Sequence, residues 1–148
     1  MHNQAIILFY ALLVLSVSAA FLKGGAPERE GAAVIIAALA LEWVGRAFVP
    51  PQFNSIYPVA LIIDALATVS FGALALYARR VWPIWATALQ ILSLTSHFAQ
   101  GIEPSHPGIY ITMKSGPTLA VLVVLLLGTF FHRRRLRQFG RDPAWMGW

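Results

Sequence analysis

Tyr57-Pro58-Val59-Ala60-Leu61-Ile62-Ile63-Asp64-Ala65-Leu66-Ala67-Thr68-Val69-Ser70-Phe71-Gly72-Ala73-Leu74-Ala75-Leu76-Tyr77-Ala78 is a run of 22 residues with a single charged side chain, Asp64. As an α-helix it would be ~33 Å long, close to the ~30 Å hydrocarbon thickness of a bilayer. Apolar residues fall on every side of it, so no face is left for water. Similar windows lie on either side, at about residues 4–22, 31–49 and 81–100, with a fifth at about 107–131. The fifth carries Ser115, Gly116 and Pro117 in its first third, and counted from Thr118 alone it is short for a span. A start near Pro107 with a kink at Pro117 gives it adequate length. The pattern predicts an all-α, polytopic transmembrane bundle of five spanning helices, or four if the last is not a full span.

The whole composition agrees. Of 148 residues, 58% are hydrophobic and 11% charged, against about 45–50% and 25% in soluble domains. A disordered chain and a soluble domain are both excluded. The absence of cysteine removes disulfides, thiolate catalysis and thiolate-ligated metals from consideration. Lys23-Gly24-Gly25-Ala26-Pro27 and Pro50-Pro51-Gln52-Phe53-Asn54 punctuate the windows, and Arg79-Arg80 marks a tight hairpin. A signal peptide is disfavoured because Met1-His2-Asn3-Gln4 has no basic residue while Lys23 follows the apolar run. The expected organisation is a transmembrane domain over residues 1–132 and a basic cytoplasmic tail over 133–148.

Basic residues choose the orientation. With the C-terminus in the cytoplasm, Lys23, Arg29, Arg79, Arg80, Arg133, Arg134, Arg135, Arg137 and Arg141 are inside, nine of the 11 Lys and Arg. Arg46 and Lys114 fall near the outer ends of helices. N-out, C-in is therefore expected. Trp82 and Trp85, with Trp145 and Trp148, suit an inner aromatic belt, and Tyr57 and Tyr110 an outer one. His2 and His132 are expected at the interfaces. The run His132-Arg133-Arg134-Arg135-Leu136-Arg137 suits both a topology signal and anionic lipid. A nucleic-acid partner finds no readout or stacking groups beside these arginines.

Ionisable groups within a membrane are costly and call for a partner or a purpose. Alternate threading of the helices brings Glu42, Arg46, Asp64, His97, His106 and Lys114 toward the outer side, with Glu103 in the loop nearby. The inner half of the spans keeps Thr68, Ser70, Thr87 and Gln90 without charge. Glu42 and Arg46 are four apart and can pair. Asp64 has no partner in its own helix, and Lys114 or Arg46 is the expected one. The expected ligand-binding set is Glu42, Arg46, Asp64, Gln90, His97, His106 and Lys114. No cofactor is expected: His97 and His106 could ligate haem or, with Asp64 or Glu42, a transition metal, but their spacing is no metal signature. Hydrolase, kinase and nucleotide motifs are absent, so catalysis is not expected.

The segments Ile63-Asp64-Ala65-Leu66, Arg79-Arg80-Val81-Trp82-Pro83-Ile84-Trp85, Ala88-Leu89-Gln90, Ser96-His97, His106-Pro107 and His132-Arg133-Arg134-Arg135 occur in an order that resembles a group of uncharacterised small multi-pass proteins of Gram-negative bacteria. The likeness runs from about Pro58 to the C-terminus and is weak in the first two helices. It implies the bacterial inner membrane and makes Asp64, Trp82, Trp85, Gln90, His97 and His106 parts of a shared pattern, without roles. Two functions follow as expectations. One is a non-enzymatic accessory or structural subunit of a larger membrane complex or homo-oligomer. The other is a small outward-facing protein that binds or transports an ion or polar ligand.

Overall fold

The computed structural model describes residues 2–49, 57–102 and 107–146, with side chains for residues 4, 6–49, 57–97 and 116–146. Five α-helices make up the fold: α1 (His2–Lys23), α2 (Ala26–Phe48), α3 (Pro58–Tyr77), α4 (Trp82–Ile102) and α5 (Pro107–Phe139). Among the described residues there is no strand beyond an isolated bridge between Ala78 and Trp145. Each start has a local cause. Pro58 opens α3 in the first turn, where a missing amide donor does no harm.

The second helix begins five residues earlier than the hydropathy window at Gly31. Gly25 is extended, Pro27 occupies the first turn, and Glu28 Oε2 accepts from the Gly25 N–H at 3.0 Å, the returning half of a capping box. Residues with the polarity of a loop are thus the first turn of a helix. At the other end of the chain, α5 continues through the expected boundary at residue 132 and stops at Gly140, whose φ of 69° suits glycine. Pro117 lies inside α5 and is buried.

The helices pack in chain order, α1 on α2, α2 on α3, α3 on α4, α4 on α5, and α5 back on α1, with α2 also touching α5. This is a closed ring. The α1–α2 turn, the α3–α4 turn and the C-terminal part of α5 meet at one end, called here the hairpin end. The core beneath it is built from Ala20, Ala32, Phe71, Ala86, Leu122 and Leu125.

Trp82 organises this core. Its indole fits between Gly31 of α2 and Gly128 of α5, and meets Phe71 edge-on at 6.2 Å. A Cβ on Gly128 would come 2.5 Å from Trp82 Cδ1, and one on Gly31 would overlap the ring as well. Trp82 is therefore a buried keystone at 5% exposure rather than a member of an interfacial belt, whereas Trp85 is 63% exposed. Tyr57, expected as an outer-face marker, is also buried.

The exterior is apolar. Trp43, Phe48, Leu22, Val69 and Leu76 are among many large hydrophobic side chains facing outward, far more than water tolerates on a monomer. Among the described residues, α1, α2, α3 and the Gly116–Phe139 part of α5 are long and apolar enough to cross a membrane. The fold is compatible with an integral membrane protein.

Packing around the indole gives a direct test in detergent melting curves. Trp82→Ala should cost about 3–5 kcal/mol through the cavity it leaves. Gly128→Ala should cost about 1–3 kcal/mol by overpacking. Gly72→Ala, where the new Cβ would meet only Thr87 Cγ2 at 3.9 Å, should leave the transition in place.

Candidate functional site

Polar side chains gather in two places with opposite characters. At the hairpin end, Glu28 is fully buried and its Oε1 accepts from both Arg80 Nε and Trp82 Nε1 at 3.0 Å. The Arg80 side chain is 1% exposed and uses the rest of its fork on the tail: Nη1 donates to the Pro143 carbonyl at 2.8 Å and Asp142 Oδ1 at 3.2 Å, and Nη2 lies 3.0 Å from Asp142 Oδ2. Arg135 Nε adds a bond to Asp142 Oδ1 at 2.9 Å. His132 Nδ1 is 2.7 Å from Asp142 Oδ2 and 3.2 Å from Arg80 Nη2. Nδ1 cannot both donate to the carboxylate and accept from the guanidinium; the shorter carboxylate contact assigns it the N–H, and Arg80 Nη2 at 3.2 Å is then a neighbour and not a hydrogen-bond donor to it.

Two arginines, Arg80 and Arg135, face two carboxylates, Glu28 and Asp142. The backbone completes the node: Gly140 turns the chain back, and Arg79 N–H donates to the Ala144 carbonyl and Met146 N–H to the Tyr77 carbonyl at 3.0 and 2.9 Å. Two turns, the end of α5 and the tail are joined in one network. Its groups are satisfied by one another, so its chemistry is that of a fastening. His132 is thus buried at this end, and Glu28 and Arg80, which the sequence pattern places in turns, form an internal ion pair.

The second group lies toward the other end. Asp64 Oδ2 accepts from Ser93 Oγ at 2.9 Å and is 2.9 Å from His97 Nε2. Gln90, Ser93 and His97 are spaced by three and four along α4, so one helical face presents all three toward α3. Among the described residues the partners of Asp64 are thus His97 and Ser93, and of the two expected partners, Lys114 and Arg46, the Lys114 side chain lies outside the described residues. Arg46 Nη2 instead bonds Glu42 Oε1 at 2.6 Å on the half-open surface of α2. Glu42, Asp64, Gln90 and Thr118 share the lining of a cavity of about 70 Å³ whose remaining wall includes Ile63 and Phe71. His97 is 1% exposed, and among the described residues its Nδ1 has no hydrogen-bond partner.

The bonding order limits the chemistry. A nucleophilic serine needs the imidazole as its base, but here Ser93 and His97 both bind the same carboxylate oxygen. The arrangement suits holding a proton between a carboxyl and an imidazole, or offering a carboxylate to a small cation. The side chains of His106 and Lys114 fall outside the described residues, as does Glu103. Among the described residues no three His, Asp or Glu side chains converge as metal ligands. Ser93 is the member that sequence reasoning left unassigned, and its spacing to Gln90 and His97 was the available signal.

With this geometry in hand, comparison with known proteins returns no matching family model, curated protein or solved structure.

The node has a pH signature. Burial alone would raise the Asp142 carboxyl, but hydrogen bonds from Arg135 and His132, with the Arg80 and Arg135 charges, outweigh it and hold the group below the ordinary value of about 3.9. A depressed carboxyl stabilises fully above its unfolded pKa and loses that contribution as pH falls through the folded one. A spin label on Met146→Cys should thus stay immobilised from neutral pH down to about pH 4 and become mobile below it. With Asp142→Asn added, the label should be mobile throughout. Arg80→Ala, which strands Glu28, should cost about 3–5 kcal/mol.

Proposed function

We propose that this chain is a multi-pass protein of the bacterial inner membrane, N-out and C-in, which binds a proton or small cation at Asp64 and His97. The observation that carries the reading is the Asp64 carboxylate, held by Ser93 and His97 at 2.9 Å beside a cavity of about 70 Å³. Ion pairs that serve only to fasten helices are closed on themselves, like the Arg80 node. Asp64 instead faces a space with room for a few waters, and among the described residues the buried Nδ1 of His97 finds no hydrogen-bond partner. Glu42 and Gln90 add acceptor oxygens around that space. In this orientation the cavity lies in the outer half of the bilayer, and the nine cytoplasmic Lys and Arg support it.

An accessory subunit is the second reading. An open groove of about 110 Å³ between α2 and α3, lined by Ala37, Ala38, Ala67 and Ser70 among others, has the small residues that let another membrane helix approach closely. The binding reading ranks above it because a scaffold has no use for a cavity beside a carboxylate.

Proteoliposomes containing a pH-sensitive dye distinguish the two. The wild-type protein should carry protons, or exchange them for an added monovalent cation. Asp64→Asn should abolish the flux while the protein inserts and melts as before, and His97→Gln should reduce it at least tenfold. Flux absent from wild type, or an Asp64→Asn protein that fails to accumulate in the membrane, would decide for the structural role.

A further inference from the structure

The basic run at the end of α5 divides into two faces. Arg135, with His132, points inward to Asp142 and is spent on the tail. Arg134 and Arg137 are exposed, and among the described residues neither forms an ion pair. They continue a stripe set by the spacing of the helix: Val123, Leu127, Phe130, Arg134, Arg137, separated by four, three, four and three residues. Its first three members are 43%, 49% and 60% exposed. The stripe is therefore an apolar track that ends in two unpaired guanidinium groups.

Its dimensions are those of one lipid leaflet. Val123 to Arg134 is 11 residues, ~16 Å of helix, against ~15 Å for half of a bilayer's hydrocarbon core. The arginines lie just past His132, which is level with the α1–α2 and α3–α4 turns where the spanning part of the bundle ends. An acyl chain lying along Val123, Leu127 and Phe130 would bring its phosphate to Arg134 and Arg137. Guanidinium is suited to that group, since its planar fork can donate two parallel bonds to phosphate oxygens.

We propose that this face of α5 is a binding site for an anionic diacyl phospholipid of the cytoplasmic leaflet, with Arg134 and Arg137 on the headgroup phosphate. The proposal rests on the membrane-spanning part of the functional reading and is independent of Asp64. It goes beyond a general attraction of basic residues to a charged surface because it names one face of one helix. Arg29, exposed at the same end on α2, takes no part.

The full chain, reconstituted in bilayers of equal phosphatidylglycerol and phosphatidylcholine and released gently for native mass spectrometry, tests it. Wild type should retain phosphatidylglycerol in preference, and added salt before release should lower the ratio. Arg134→Gln or Arg137→Gln should lower it about fivefold, and the double variant more than tenfold, as expected for roughly 1 kcal/mol per basic residue. Arg29→Gln should leave it unchanged, and the double lysine variant should retain most of it. An equal ratio in wild type and the double glutamine variant would overturn the site. A chain that does not enter bilayers at all would overturn the membrane reading beneath it, and loss of proton flux in Asp64→Asn bears on neither outcome.

Discussion

A carboxylate with no access to solvent has to be neutralised and hydrogen-bonded where it lies, and Glu28 imposes that condition on the rest of this fold. Its partners, Arg80 and Trp82, come from a turn more than 50 residues further along the chain. Binding them brings the α3–α4 turn under the start of α2, and the indole then needs a slot, which Gly31 and Gly128 provide. Since Gly128 belongs to α5, the same ring that satisfies Glu28 also draws the last helix into place. Arg80 in turn has more donors than Glu28 can accept, and the surplus binds the tail. Ring closure, helix order and tail position thus follow from a single buried charge.

Asp64 presents the same residue chemistry in another condition. Both carboxylates are shared between two side-chain donors, yet Glu28 is enclosed by its partners while Asp64 keeps a cavity at its side. A buried ion pair that is fully bonded contributes chiefly specificity, since desolvation offsets much of its Coulomb gain. Groups left short of partners are the ones that answer to an arriving ion or proton. The difference between the two clusters is therefore the physical ground for proposing that one fastens the fold and the other binds an ion or proton.

Helix number and positions were legible in the residues because apolar length is a strong signal, and α3 and α5 begin where their prolines indicate. The pairing of Glu42 with Arg46 was equally plain from a spacing of four. Asp64 was recognised as a group needing a partner, but hydropathy carries no information about helix rotation, so Lys114 or Arg46 was expected on charge and His97 was passed over. The hairpin-end node was missed for another reason. Glu28 lies in a Gly- and Pro-rich stretch that reads as a loop, and Arg80 counts toward a topology rule that asks only about sign. Asp142, a lone acid after a basic run, was the available hint, as were Gly31 and Gly128, glycines placed within helices.

The node also has an order of assembly in time. Asp142 follows Arg80 by 62 residues, roughly 3–12 s of translation at about 5–20 residues per second. Until then Asp142 is not there for Arg80 to bind, and the Trp82 slot lacks the wall that Gly128 supplies. The tail contacts that complete the node are thus supplied by residues that follow both Glu28 and Arg80 in the chain.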